Sequence, residues 1–279
     1  MPRKKSAQPS TLRKSGRQKK GSGLSRKSKR KIFSYLLVLL LLVLAGTGYW
    51  LYTEWQAYQR AVHSRFPAFG IPLPARLPIH GIDVSRYQER IAWEEVAEME
   101  VLGIQIGFSF IKATEGVDHI DKRFHHNWRA SKKAGITRGA YHFFIPSQSG
   151  LKQARHFLNE VELQKGDLPP VLDIEQLGGM SPVTLRREAL KWLQEVEKVC
   201  HVRPVIYTNV GFYQNYLGLE FDNYPLWVAH YYRTDEPSIN RGWLFWQHND
   251  SGRVNGVDAR VDFNVFNGDS ASFRSILIR

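Results

Sequence analysis

The sequence predicts an α/β protein: an irregular (β/α) barrel of about eight strands, with some helices missing from its last units and one N-terminal transmembrane helix ahead of it. Three observations carry that expectation. From Pro78 onward, short apolar runs alternate with amphipathic stretches, the pattern of strand and helix units wound into a barrel. Residues 32–52 contain no charged side chain, enough apolar chain to cross a hydrocarbon core as a helix. The apolar run 170–175 ends on Asp173 and Glu175, and the ends of strands are where barrels keep their chemistry. An open doubly wound sheet is the competing architecture.

Residues 1–31 hold thirteen Lys and Arg and no acid, whereas the remaining 26 basic residues face 26 acidic ones. The formal charge of +13 therefore sits in this tail. With almost no large apolar residue to bury, the tail is expected to be disordered and cytoplasmic. A formally neutral body argues against nucleic acid as a partner, because binding it needs a basic folded face. Residues 32–52, IFSYLLVLLLLVLAGTGYWLY, form the expected transmembrane signal anchor, with Tyr49, Trp50 and Tyr52 at the far interface. Positive charge ahead of the span places the N-terminus in the cytoplasm and the body on the outer side of the cytoplasmic membrane. Secretion after signal cleavage is the alternative, since residues 45–48 are small, although a 31-residue leader is long for a cleaved signal. No cysteine follows those small residues, so a lipid-anchor signal is absent. Residues 53–78 start polar and end in FPAFGIPLPARLP, whose prolines favour an extended spacer. The folded domain is expected over residues 79–279. Cys200 is the only cysteine, so this domain must be stabilised by its core without a disulfide.

Within the domain, residues 79–85 read as strand, 91–102 as helix, 104–113 as strand and 121–134 as helix stopped by Gly135. Strand 137–144 and helix 150–163 follow. Pro169 and Pro170 before the run 170–175, and Gly178 and Gly179 after it, bound it as a buried strand of the parallel kind. Helix 181–201 opens on Ser181 as N-cap with Pro182 in its first turn. Its residues Leu185, Ala189, Trp192, Leu193, Val196 and Val199 form one apolar stripe, as packing on a sheet requires. Runs 203–208, 226–231, 243–248 and 261–266 supply four more strands. Only a short helix near 211–217 separates the first two of these.

In an extended run, side chains two apart share a face, so Asp173 and Glu175 address one site while Leu172 and Ile174 face away. Two crowded carboxylates push one pKa upward, as acid/base chemistry needs. A strand-end pair facing water or a lysine is the plain alternative. Other strand ends are acidic and aromatic too: Asp83, Tyr141 with His142, Tyr207, Tyr231, Trp246 with Gln247, and Asp262. Rings among carboxylates suit a sugar, which offers apolar faces to stack on and hydroxyls for acids to bind. Core packing is the alternative for any single ring, and the preferred one for Tyr207 or Trp227 taken alone. Lys112 and Glu115 read as structural, and His142 as either a carboxylate-orienting or a satisfied core histidine. The chain has no HExxH, CxxC, Gly-rich phosphate loop or GxSxG. A metal site built from Asp83, Asp173 and Asp262 lacks supporting histidine spacing, so no metal and no cofactor is expected.

Eight pieces stand in a single order: GIDVSRYQ (81–88), FIKATEG (110–116), RGAYHFF (138–144), LDIE (172–175), IYTN (206–209), LWVAHY (226–231), FWQH (245–248) and VDFNVF (261–266). Together they resemble the glycoside hydrolase family 25 muramidases, the lysozymes of the Chalaropsis type. The resemblance implies an irregular β/α barrel that hydrolyses the β-1,4 bond between N-acetylmuramic acid and N-acetylglucosamine in peptidoglycan. The family's acids fall on Asp83, Asp173, Glu175 and Asp262, the glutamate being the usual proton donor. Its substrate-lining aromatics fall on Tyr141, Tyr207, Tyr231 and Trp246, while His248 stands where many relatives carry an aromatic residue. The tail and the apolar span lie outside the match. The expectation is a membrane-tethered bacterial muramidase whose partners are peptidoglycan strands and, through residues 32–52, the cytoplasmic membrane; no sequence feature specifies an oligomer. Glu175 serves as acid, and Asp173 assists at the anomeric carbon directly, through the acetamido group or through water. Asp83 and Asp262 bind substrate and hold the constellation. A catalytically silent wall-binding module and a barrel glycosidase acting on chitin-like polymers are the alternatives.

Overall fold

The structure, a computed structural model, describes residues 26–74, 76–231, 233 and 235–279. Residues 1–25 of the basic tail, expected to be disordered, lie outside that range. The chain divides into two units, one up to Ala57 and one from Tyr58 to Arg279. Helix α1 (Arg26–Arg65) begins inside the basic tail and runs through the apolar segment into the first half of the expected spacer. Its apolar side chains, from Ile32 to Tyr52, are exposed. Their length and composition suit a membrane anchor or a signal sequence.

The second unit is a closed barrel. Its strands are β1 (His80–Val84), β3 (Ile104–Glu115), β5 (Thr137–Phe143), β6 (Val171–Asp173), β7 (Val205–Asn209), β8 (Leu226–Ala229), β9 (Phe245–Gly252) and β10 (Val261–Phe266), with two-residue β2 (Glu100–Val101) and β4 (His119–Ile120) paired to β3. The order β1-β10-β9-β8-β7-β6-β5-β3 closes through the parallel pairing of β1 with β3. Every barrel pairing is parallel except those of β10, which runs antiparallel to both β1 and β9. Helices α2 (Trp93–Glu98), α3 (Phe124–Lys133), α4 (Gly150–Glu160), α5 (Pro182–Cys200) and α6 (Val210–Tyr216) lie between strands, and α7 (Ser270–Ser275) follows the last one. Among the described residues no helix lies between β8, β9 and β10, as expected for the last units.

Several boundaries move for local reasons. Helix 91–102 shortens to α2 because Glu100 and Val101 pair with Gln105 and Ile104 across a turn in which Leu102 and Gly103 take φ of 53° and 79°. Helix 121–134 starts at Phe124, since the Asp121 carboxylate instead accepts the Arg86 and Arg123 N–H groups, both at 2.9 Å. Ser181 caps α5 as expected, accepting the Thr184 N–H at 3.1 Å. The run 170–175 contributes only three strand residues, so Glu175 lies beyond β6.

The barrel interior is filled by aromatic rings: Phe110 stacks on Trp227 at 4.3 Å and meets Phe245 edge-on at 5.0 Å. Gly81 and Gly139 make room for them, since a Cβ would stand 2.5 Å from Phe108 and 2.6 Å from Phe110. A second layer, including Trp93, Phe157 and Trp192, packs between sheet and helices. The spacer reading fails in its second half. Phe66, Phe69, Ile71 and Leu73 are buried, Phe69 lies 5.5 Å from Phe263, and the Arg253 N–H donates to the Phe69 carbonyl at 2.9 Å. The stretch opens in a turn closed by the Gly70 N–H on the Phe66 carbonyl at 3.1 Å, and its buried apolar residues pack on the barrel wall.

Candidate active site

The parallel strands bring their carboxyl ends to one rim, and a cleft of about 280 Å³ opens there, lined by Asp83, Asp173, Glu175 and Asp262. Asp262 reaches it in a way the sequence did not indicate. It is the second residue of β10 and opens that strand; only because β10 runs backwards does its start sit at the rim, with Asp83 paired opposite Asp262.

Asp83 is buried, and its Oδ2 accepts from Gln247 Nε2 and Asn264 Nδ2, both at 2.8 Å. Gln247 Oε1 in turn accepts from the Tyr207 and Tyr231 hydroxyls at 2.7 Å, while Asn264 Oδ1 accepts from Trp227 Nε1 at 2.8 Å. One carboxylate is thus fixed by a network that runs from the adjacent β10 through β9 and β8 to β7. Burial, then the charge of Asp262, raises the Asp83 pKa well above the usual aspartate range, and the two amide donors oppose the shift. Burial followed by the Asp250 charge raises Asp262 to about 7.

Asp173 closes β6. The Phe144 N–H donates to its carbonyl and the Ile174 N–H to the Tyr207 carbonyl, both at 2.9 Å, so the backbone carrying the pair is pinned on both sides. Ile174 is buried, which turns Glu175 back over the cleft, where it is exposed. Asp173 Oδ1 is buried without a hydrogen-bond partner among the described residues. Burial, then the charge of Glu175, raises the Asp173 pKa well above the usual range. Glu175, though its side chain reaches solvent, is raised by partial removal from water, while its hydrogen bond with Asp173 and the charge of Lys112 act the other way. Removal from water comes first for both groups, ahead of the carboxylate crowding that the sequence emphasises. The pair therefore keeps a proton at pH values where an ordinary Asp and Glu hold none.

Tyr141, Tyr207 and Tyr231 line the cleft. Trp246 does not: it is buried on the outer face of β9, its Nε1 donating to the His230 carbonyl at 2.9 Å. Strand alternation sends Gln247 inward and Trp246 and His248 outward. Trp227 is core, as the sequence favours, and it also lines the cleft from below. His248 packs edge-on against Trp246 and Phe263, 5.5 and 6.3 Å away, so it occupies an aromatic position in the outer core. His142 is a satisfied core histidine, bonded to Thr114 at 2.8 Å and Gln153 at 3.1 Å and stacked on Trp192. Lys112 does pair with Glu115 at 2.7 Å, and it also lines the cleft. Gln247, named among the strand ends, thus joins the site, as do Lys112 and Trp227, which the sequence reads as structural and as core. Asn264 is the residue that sequence reasoning passed over, although it stands two residues from Asp262 on the same face.

Acids and aromatic rings gathered at the rim of a β/α barrel, with two neighbouring acids raised above their ordinary pKa, are the arrangement of a glycoside hydrolase. The profile described as Glycosyl hydrolases family 25 matches residues 82–257. Lysozyme M1 of Streptomyces globisporus is 36% identical over 210 residues, covering 69% of each chain. Uncharacterized protein YegX of Escherichia coli (strain K12) is 49% identical over 201 residues, 72% of this chain and 74% of that one. The structure of a family 25 glycosyl hydrolase from Bacillus anthracis superposes with a TM-score of 0.66 at 31% identity, covering 72% of this chain and 94% of that one. The chain belongs to glycosyl hydrolase family 25.

Proposed function

We propose that the protein is a muramidase cutting the β-1,4 bond between N-acetylmuramic acid and N-acetylglucosamine, with Glu175 as proton donor and Asp173 as its partner. One observation carries the assignment of roles: Glu175 stands open to the cleft, next but one to a buried Asp173 whose Oδ1 has no hydrogen-bond partner among the described residues. A glycosidase needs an acid for the leaving oxygen and a carboxylate for the positive charge that develops at the anomeric carbon. Glu175, its pKa raised, holds its proton and delivers it to the glycosidic oxygen. Asp173 supplies negative charge where water is excluded and electrostatic stabilisation is strong. Asp83, held by two amides, and Asp262 bind sugar hydroxyls, while Tyr141, Tyr207, Tyr231 and Trp227 wall the groove.

Release of fragments from purified peptidoglycan tests this reading. Glu175→Gln should abolish cleavage while retaining wall binding, since the amide fills the same volume and cannot act as an acid; Asp173→Asn should cost about a hundredfold or more. Near wild-type cleavage by Glu175→Gln would remove Glu175 from its role. A wild-type protein that binds wall and releases nothing would be a binding module.

For the remainder of the chain, we infer a retained anchor over residues 32–52, an N-terminus in the cytoplasm and a catalytic domain on the outer side of the membrane. The thirteen basic residues ahead of the span and the neutral balance after it support that orientation.

A further inference from the structure

Beside the cleft lies a second hollow of about 690 Å³ that the catalytic constellation does not use. Arg90, Arg253 and Arg260 line it, together with Glu95, Asp258 and Gly256. Neither Arg90 nor Arg253 has an ion-pair partner among the described residues.

The walls of this hollow are fixed. Ile91 pairs with Val257, and the Ala92 N–H donates to the Gly256 carbonyl at 2.9 Å. Gly256 has a φ of +79°, and a Cβ there would stand 2.4 Å from the Ala92 carbonyl oxygen. On the facing turn Glu89 takes φ 49° and ψ −116°, a conformation that is costly for a residue bearing a Cβ. Ion pairs to Lys122 at 3.1 Å and Arg123 at 2.8 Å hold it there. The strained turn carries the chain from Gln88, at the edge of the cleft, to Arg90 in the hollow. Gln88 joins the two: it lines the cleft, and its Nε2 donates to the Arg260 carbonyl at 3.0 Å. A merely solvated face would explain exposed arginines, but not a strained turn and a pinned loop that present them together.

We propose that this hollow is a subsite for the peptide stem of peptidoglycan, the branch that muramic acid carries on its lactyl group. The proposal rests on the muramidase reading of the cleft. A strand whose sugars lie in the cleft must project its stems over the rim, and the Gln88–Arg260 contact ties that rim to the hollow. Stems carry free carboxylates, which unpaired guanidinium groups bind in a bidentate manner. Glu95 and Asp258 suit the amine of a stem that contains a diamino acid.

The test compares two substrates: stem-bearing peptidoglycan, and the same glycan stripped of stems by an amidase. Full-length protein in detergent is assayed as wild type, Arg90→Gln, Arg253→Gln and the double variant. Arg90 is exposed, so its variant keeps the test valid should Arg253, which packs over Gly70, prove necessary for folding. On stem-bearing substrate the double variant should lose roughly tenfold in kcat/KM, through KM, from two charge-assisted contacts. On stripped glycan it should match wild type. An equal loss on both substrates, or no loss on either, would overturn the subsite. A wild type that cleaves neither would overturn the muramidase reading beneath it.

Discussion

Asp262 shows how the cleft sets single carboxyls against the stability of the fold. Its ordinary pKa of 3.8 is raised to about 7, first by burial. Below pH 3.8 the group is protonated in folded and unfolded chains alike and makes no difference between them. As pH rises through 3.8 the unfolded chain ionises while the folded one keeps its proton, so the folded state loses stability until Asp262 itself ionises near 7. Asp262→Asn removes that cost and should stabilise the protein at pH 7 by about 1–2 kcal/mol. Denaturant unfolding across pH should show the gain shrinking towards zero near pH 4, whereas a pH-independent gain would refute the buried carboxyl as its source. Buried histidines act in the opposite sense. His80 is lowered to about 4, and His142 and His248 to about 3, each mainly by burial. The unfolded chain takes up protons below 6.5 while these sites resist them, so they destabilise the fold on acidification.

At the scale of elements, α4 and α5 approach closely, and Gly150 permits it. A Cβ at Gly150 would stand 1.8 Å from the Glu188 carbonyl oxygen, and the Gly150 N–H donates to Glu188 Oε2 at 3.0 Å. Lys191 foremost, and then that backbone N–H and Arg187, bring the Glu188 pKa down to about 2. Gly150→Ala must push the helices apart, at a cost of about 1–3 kcal/mol from overpacking. A thermal midpoint equal to wild type would show that the contact is not a constraint. The β6–α5 unit, which carries Asp173 and Glu175, shares this packing, because α5 presents Trp192 to His142 on β5, the strand beside β6.

For the whole molecule, the functional boundary lies near Arg65 and not at residue 78. Phe66, Phe69, Ile71 and Leu73 are buried against the barrel. At about 1.5–3 kcal/mol for each buried apolar side chain, removing all four forfeits an amount comparable to the ~5–15 kcal/mol net stability of a domain. A chain of residues 66–279 should therefore be soluble, folded and active, whereas 79–279 should fail to fold. The full-length chain should fractionate with membranes. Circular dichroism, glycan release and membrane fractionation read these outcomes. A folded, active 79–279 would make the packed segment dispensable, and a soluble product of the full-length gene that lacks its N-terminal residues would favour secretion over anchoring.

The sequence by itself determined the existence and order of the eight barrel strands, the apolar N-terminal helix and the candidacy of Asp83, Asp173 and Glu175, because strand periodicity, capping at Ser181 and acids ending apolar runs are local signals. Only the tertiary structure decided which face of β9 enters the cleft. Both faces of a barrel strand are buried, so polarity does not alternate, and the exchange of Trp246 for Trp227 is invisible in the chain. Likewise the reversal of β10, which turns the start of that strand into part of the rim, is set by pairing with β1 and β9. The Asp83 network joins residues as much as 181 positions apart, and no local pattern encodes such a contact. Residues 66–74 read as a linker because their proline-rich composition is that of one, and only a barrel wall within reach makes Phe66, Phe69, Ile71 and Leu73 core.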